Sequence, residues 1–244
     1  MNRILTTLWP FALIACAPDA PATPSFQADV MPILAGNCLR CHAAPVIGGA
    51  PEYFRLDVLE DVIVRDRTIP AGDPDCTPPR SEPGCLPTVI GGAATWAATA
   101  AQRVDNDDRP MPPRFRIDDH EIETLQNWAD EGAPRGEPRP NNAEPAAAVE
   151  SIERVVVRLE DTPPRAFLVL HVRVDDPDRD VVGGSLHARI AGVETFVGLV
   201  HSGVAVVRWE TTSVAAGTYP LSARLDDGGA VSNVGLGTVT VEAP

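Results

Sequence analysis

From Ile152 to the end of the chain, apolar and polar residues alternate in short runs: "IERVVVRL", "AFLVLHVRV", "SLHARI", "ETFVGLV", "VAVVRWE", "TYPLSARL" and "LGTVTVE". A period of two, carried mainly by Val and Leu, sends alternate side chains to opposite faces of a strand, and Asp, Gly and Pro turns separate the runs. About seven such strands predict a β-sandwich over residues 151–244. Upstream the period lengthens. In "DDHEIETLQNWADEGAP", Ile122, Leu125 and Trp128 stand three apart on one helical face. Asp118 is placed as N-cap with Glu121 three residues on, and Gly132 with Pro134 as the stop. A second helix is expected from Ala93 to Arg103. Ser25 is expected to cap a short helix carrying Phe26 and Val30, after which Pro32 opens a new turn.

Two shifts in composition divide the chain. Residues 1–16, "MNRILTTLWPFALIAC", carry Arg3 and then an apolar run too short to span a bilayer as a helix, the pattern of a secretory signal. Its Leu-x-Ala-Cys ending resembles the lipobox of bacterial lipoproteins, which implies that Cys16 becomes the lipidated first residue of an exported chain. Residues 17–24 read as a Pro/Ala tether. The stretch "GAPRGEPRPNNAEPAAAVE" marks a second boundary, with a Pro-rich linker at 136–150. Residues 25–135 and 151–244 are thus expected to fold as separate units.

The formal net charge of -14 argues against a nucleic-acid partner. The basic residues are all Arg, which reads as the mark of a GC-rich genome and not as a special need for guanidinium groups. Aromatics are only 5% of the chain, so its cores must rest on aliphatic packing.

All the cysteines other than Cys16 lie in the upstream segment. "NCLRCHAA" sets Cys38, Cys41 and His42 within five positions. A zinc site would need two further ligands, and His42, next to Cys41, is badly placed to share their tetrahedron. A redox dithiol would be expected to open a helix after a strand, whereas helical and turn-like sequence precedes Cys38. Covalent haem suits the spacing. Two intervening residues bring both sulfurs to one side of a turn, where they can add to the two vinyl groups of one porphyrin, and His42 then falls under the iron as proximal ligand. One covalent haem c is therefore the expected cofactor. Met111, between prolines in "RPMPPR", is the candidate distal ligand, with His120 in reserve; Met31 lies upstream of the attachment turn. Arg40, Arg103 and Arg109 are candidate partners for haem propionates. Cys76 and Cys85 are expected to form a disulfide, which the chain-entropy estimate values at roughly 2.5 to 3 kcal/mol.

"SFQADVMPILAGNCLRCHAAP", followed at a distance by "DRPMPPRFRIDDHEIETLQNWADEGAP", resembles the c-type cytochrome domains of exported bacterial proteins, including the planctomycete-type, class I-like monohaem form. The resemblance covers about residues 25–135. It implies a mainly α, cytochrome c-like haem domain and assigns the distal iron ligand to Met111. The 68 residues between His42 and Met111 depart from it, being longer than a compact cytochrome uses. The late strands around "AGTYPLSARLDDGGAVS" resemble Ig-like and fibronectin-type domains of bacterial surface proteins. The fold class expected is therefore a mainly α cytochrome c-like domain followed by an all-β Ig-like sandwich.

In the downstream half, Asp175, Asp176, Asp178 and Asp180 could hold Ca²⁺, but they lack an ordered loop pattern and read better as a solvated turn. His171, His187 and His201 are scattered over strands and read as packing or surface residues. No nucleophile, paired catalytic carboxylates or phosphate loop is seen there. The function expected is electron transfer, not enzyme catalysis, by a protein lipid-anchored to a bacterial membrane on the periplasmic or cell-surface side, with envelope redox proteins as donor and acceptor. Two alternatives stand beside it: peroxidase-like chemistry or gas sensing at an open sixth iron position, and an adhesion or docking role for the β-sandwich with the haem domain as accessory.

Overall fold

The computed structural model describes residues 19–46, 49–51, 53–64, 89–158 and 164–243. Cys16, the expected signal segment and the expected Cys76–Cys85 disulfide lie outside the described residues. No described helix is long and apolar enough to cross a membrane.

Seven antiparallel strands make up the larger part. One sheet has the order β3–β4–β7, from Ala146–Val157, Arg165–Asp175 and Gly203–Glu210. The other has the order β6–β5–β8–β9, from Val193–His201, Gly183–Ile190, Gly217–Asp226 and Val231–Val241. The alternation in the sequence decides what lies between them. Leu168, Leu170, Val172 and Val174 of β4 and Ala205, Val207 and Trp209 of β7 are buried together with Leu186, Ala188, Leu221, Ala223, Leu225, Val239 and Val241 of the second sheet. The residues between these, such as Arg173, Val206 and Arg208, face outward. There the Arg208 guanidinium lies 3.9 Å from the Phe167 ring centre, close enough for a cation–π contact.

The upstream segment is smaller and less regular. A π-helical turn at Phe26–Val30, capped by Ser25 Oγ accepting from the Ala28 amide at 3.1 Å, runs into α1 (Met31–Asn37) and the single turn α2 (Leu39–His42). Then come β1 (Val62–Ile63), β2 (Val89–Ile90), α3 (Ala93–Val104) and α4 (Asp119–Asp130). At the start of α4 the Glu121 amide donates to Asp118 Oδ1 at 2.8 Å and the Asp118 amide to Glu121 Oε2 at 3.3 Å, a reciprocal capping box. Gly132, at φ 84°, closes the far end. Trp128 is fully buried, stacks on Phe26 at 5.5 Å and donates its indole N–H to the Pro134 carbonyl at 2.9 Å.

This architecture corrects the expected fold class and the resemblance behind it. The chain is predominantly β, 39% strand against 21% helix, and not a mainly α cytochrome c-like domain followed by an all-β Ig-like sandwich. No cytochrome-like helical domain of the planctomycete or class I kind is present in the described residues. The physical reason lies in the helix lengths. Ala43 turns to an extended backbone directly after His42, which limits α2 to one turn. Between α2 and α3 the chain forms no described helix, and Val62 and Ile63 pair with Ile90 and Val89 instead.

The two segments share a polar seam. Asp226, at the end of β8, accepts from the Leu59 amide at 2.9 Å and from Arg135 at 2.8 Å. Gln27 donates to Asp180 at 2.7 Å and accepts the Arg139 amide at 2.8 Å. Within the stretch expected as a linker, the Asn142 side chain bonds Gln27 upstream and Asp227 downstream, and β3 begins there. Gly183 of β5 sits so close to the upstream segment that an added Cβ would stand 2.5 Å from the Asp57 carbonyl oxygen and 2.7 Å from a Val58 methyl. Gly183→Ala is expected to cost about 1–3 kcal/mol by forcing the two segments apart. An unchanged urea midpoint would show that the contact is slack.

His187, half-buried on β5, places Nε2 2.8 Å from Ser185 Oγ. Burial pushes its pKa below the ordinary 6.5, with Arg224 adding to the effect and Glu194 opposing it. Since the folded value lies below the unfolded one, the contribution of the neutral ring is complete above about pH 6.5 and is lost as pH falls toward the folded value. His187→Gln is expected to reduce the drop in melting temperature between about pH 7 and about pH 5. An identical drop in both proteins would remove His187 from the explanation.

Candidate functional site

Cys38 ends α1 and caps α2, so Cys38, Cys41 and His42 lie on one turn. The Cys38 amide donates to the Leu34 carbonyl at 2.7 Å, and the Cys38 carbonyl accepts from both the Cys41 and His42 amides at 3.1 Å. Both thiols are unbridged and half-buried. Burial, with the nearby Glu121 carboxylate and Cys41 adding to it, pushes the Cys38 thiol up to about 11, so the thiol is the form present at neutral pH.

His42 is held on two sides. Its carbonyl accepts from the Leu56 amide at 2.9 Å, and its ring centre lies 4.7 Å from that of Phe54, which in turn stacks on Trp96 at 4.7 Å. Trp96 is fixed by indole N–H bonds to the Gly91 and Tyr53 carbonyls at 3.1 and 3.2 Å. Gly91 has to be glycine for this, because an added Cβ would fall 2.4 Å from Trp96 Nε1. Burial lowers the His42 pKa, against an opposing effect from the Phe54 backbone, and so favours the neutral imidazole that binds metals. Its Nδ1 is buried without a hydrogen-bond partner among the described residues.

Behind this turn, Arg55 and Asp57 form an ion pair that is 0% and 1% exposed. Arg55 Nε donates to Asp57 Oδ1 at 2.6 Å and Nη2 to Oδ2, while Nη1 is buried and unpartnered among the described residues.

The other sequence candidates are more dispersed. Met111 lies in the loop between α3 and α4, tied by its amide to the Arg103 carbonyl at 3.0 Å, and its side chain is 37% exposed. Met31 is buried in the helical core. His120 is half-buried in the first turn of α4, Arg40 and Arg109 are exposed, and Arg103 is half-buried. Asp176, Asp178 and Asp180 bring carboxylate oxygens within 4.8 Å of one another. Asp176 Oδ1 accepts from the Asp178 and Asp180 amides, and Asp180 is paired with Arg139 and Gln27. His171 and His201 are half-buried on their strands.

The cysteine–histidine turn was legible from spacing alone, whereas Phe54, Arg55, Asp57 and Trp96 were missed. A signal did exist. In a chain so poor in aromatics, "YFRLDVL" sets two of them beside an Arg and an Asp two apart within an apolar run.

No family profile matches the sequence, and no curated protein matches it. Among solved structures, a Ruminococcus gnavus beta-glucuronidase, in complex with uronic isofagomine, is similar at 12% identity over 41% of this chain and 18% of its own, with a TM-score of 0.24. Nothing in these comparisons supports the cytochrome resemblance. So thin a likeness carries no argument about activity and assigns the chain to no family.

Proposed function

We propose that the chain carries one covalent haem c on Cys38 and Cys41, ligated by His42, and serves as an electron carrier at the cell envelope. The observation that carries this reading is two thiols, free among the described residues, on the same turn as a histidine whose Nδ1 is buried and has no hydrogen-bond partner among the described residues. The flat apolar ring of Phe54 beside that histidine, backed by Trp96, suits a porphyrin face. Cys38 and Cys41 would hold the group by thioethers, each reduced S–H adding across one vinyl double bond so that no oxidant is needed. When bound, the group supplies a single-electron couple at iron.

His42 would hold the iron, and its neutral state is favoured by burial. The Leu56 bond and the Phe54 ring fix its orientation. Met111 is the proposed second ligand, and a thioether there raises the potential relative to a second histidine. With His42 and Met111 both holding the group, no ligand position would be left for substrate, so the reading is a carrier and not an enzyme. Lipidation at Cys16 would hold it on a bacterial membrane, on the periplasmic or cell-surface side, facing envelope redox proteins.

The exposure of Met111 favours a second reading, in which the sixth position is open to peroxide or to a small gas. The visible spectrum of the reduced, exported protein tests the first, with the bands of a thioether-linked haem expected. Met111→Ala separates the two. The carrier reading expects loss of the thioether-to-iron absorption and a new high-spin, CO-binding species, whereas an unchanged spectrum removes Met111 as a ligand.

A further inference from the structure

We propose that Arg55 is a positioning residue that holds a haem propionate through Nη1. The inference rests on the haem reading above. Three observations locate it. Residue 55 lies between Phe54, whose ring packs on His42, and Leu56, whose amide bonds the His42 carbonyl, so it belongs to the stretch that holds the proximal histidine. Its side chain is 0% exposed and its Nη1 is unpartnered among the described residues, an arrangement that buried guanidinium groups avoid unless an acceptor arrives.

The third observation is direction. Asp57 occupies the Nε–Nη2 edge, and its Oδ2 faces Gly183 of β5, where an added Cβ would lie only 2.9 Å away. A guanidinium is planar, so an acceptor on that edge leaves Nη1 on the side of the group away from Asp57. The Arg55–Asp57 pair is neutral as a unit. A propionate carboxylate at Nη1 would meet a donor already oriented by Asp57. Of the sequence candidates for this role, Arg40 and Arg109 are exposed and Arg103 is half-buried, and none is enclosed as Arg55 is.

The test uses the full chain with Cys38→Ala and Cys41→Ala, so that haem binds by coordination alone and its affinity can be titrated. Affinities for iron protoporphyrin and for its dimethyl ester, which lacks the propionate charges, are compared. With Arg55 present, the ester is expected to bind about tenfold more weakly or worse, as befits a lost hydrogen bond to a charged group. In Arg55→Leu/Asp57→Leu, which removes the ion pair as a whole, the discrimination is expected to vanish while the ester binds as before. If that variant fails to fold by circular dichroism, Arg55→Lys serves instead, keeping the charge against Asp57 and withdrawing the Nη1 corner, with the same loss expected. Discrimination that persists in the variant, or equal weakening toward both ligands, overturns the proposal and leaves the haem reading standing. Failure of every form to bind either ligand, with wild-type chain exported free of covalent haem, overturns both.

Discussion

Exported Cys38→Ala/Cys41→Ala protein is expected to lose all haem that survives denaturation, while the wild-type chain keeps one per molecule. The effect is all or none because a thioether is a covalent bond and no other described residue offers a thiol; the described free cysteines are these two alone. Each single variant is expected to keep a haem on one thioether at reduced yield, because the surviving sulfur still stands on the turn that presents His42. Loss of fold does not account for such a result. Both cysteines are only half-buried, and Cys38 sits at the margin of the helical core instead of filling it. Denaturing electrophoresis with haem staining, alongside circular dichroism, reads both quantities. Haem that persists in the double variant would place the attachment elsewhere.

Arg55→Ala is expected to produce the largest loss of stability of any single change considered, about 3–5 kcal/mol, since it leaves the Asp57 carboxylate buried at 1% exposure without a counter-charge. The converse matters as much. Arg55→Leu/Asp57→Leu removes both charges and is expected to stay near wild-type stability, because an ion pair out of water returns little beyond the cost of its own desolvation. Urea unfolding of the single and double variants completes a cycle, with the single change expected to be far worse than the double. Comparable loss in both would mean that apolar side chains cannot fill the site and that the pair is retained for shape.

The elements whose period was strong were legible in the sequence. The strands at residues 165–175, 203–210 and 217–226 fall on runs read from alternation, and the Asp118–Glu121 cap with the Ile122, Leu125 and Trp128 stripe forms the helix it suggested. Such features are local, set by neighbours three or four residues apart. The balance between them was not legible. Motif likeness over residues 25–135 gave too much weight to short helices, and nothing local in "YFRLDVLEDVIV" announces the pairing of Val62 with Ile90 or the docking of Asp57 against Gly183. Those are contacts across long sequence separations. The same holds at the candidate site. Three residues of one turn could be read from spacing, but the Phe54 ring that packs on His42, the Trp96 ring behind it and the buried Arg55 arrive from elsewhere in the chain. Met111 shows the limit most clearly, for its flanking prolines suggested a presented ligand, and the loop sets it at the end of α3 with its side chain partly in solvent.

The central claim is that Cys38, Cys41 and His42 form a covalent haem site. Its most direct test is the intact mass, under denaturing conditions, of full-length protein exported by a host competent to attach haem, followed by peptide mapping. A chain heavier by one haem is expected, with the added mass on the peptide that contains "NCLRCH". A chain of unmodified mass at that peptide, with both thiols free to react with an alkylating agent, would contradict it.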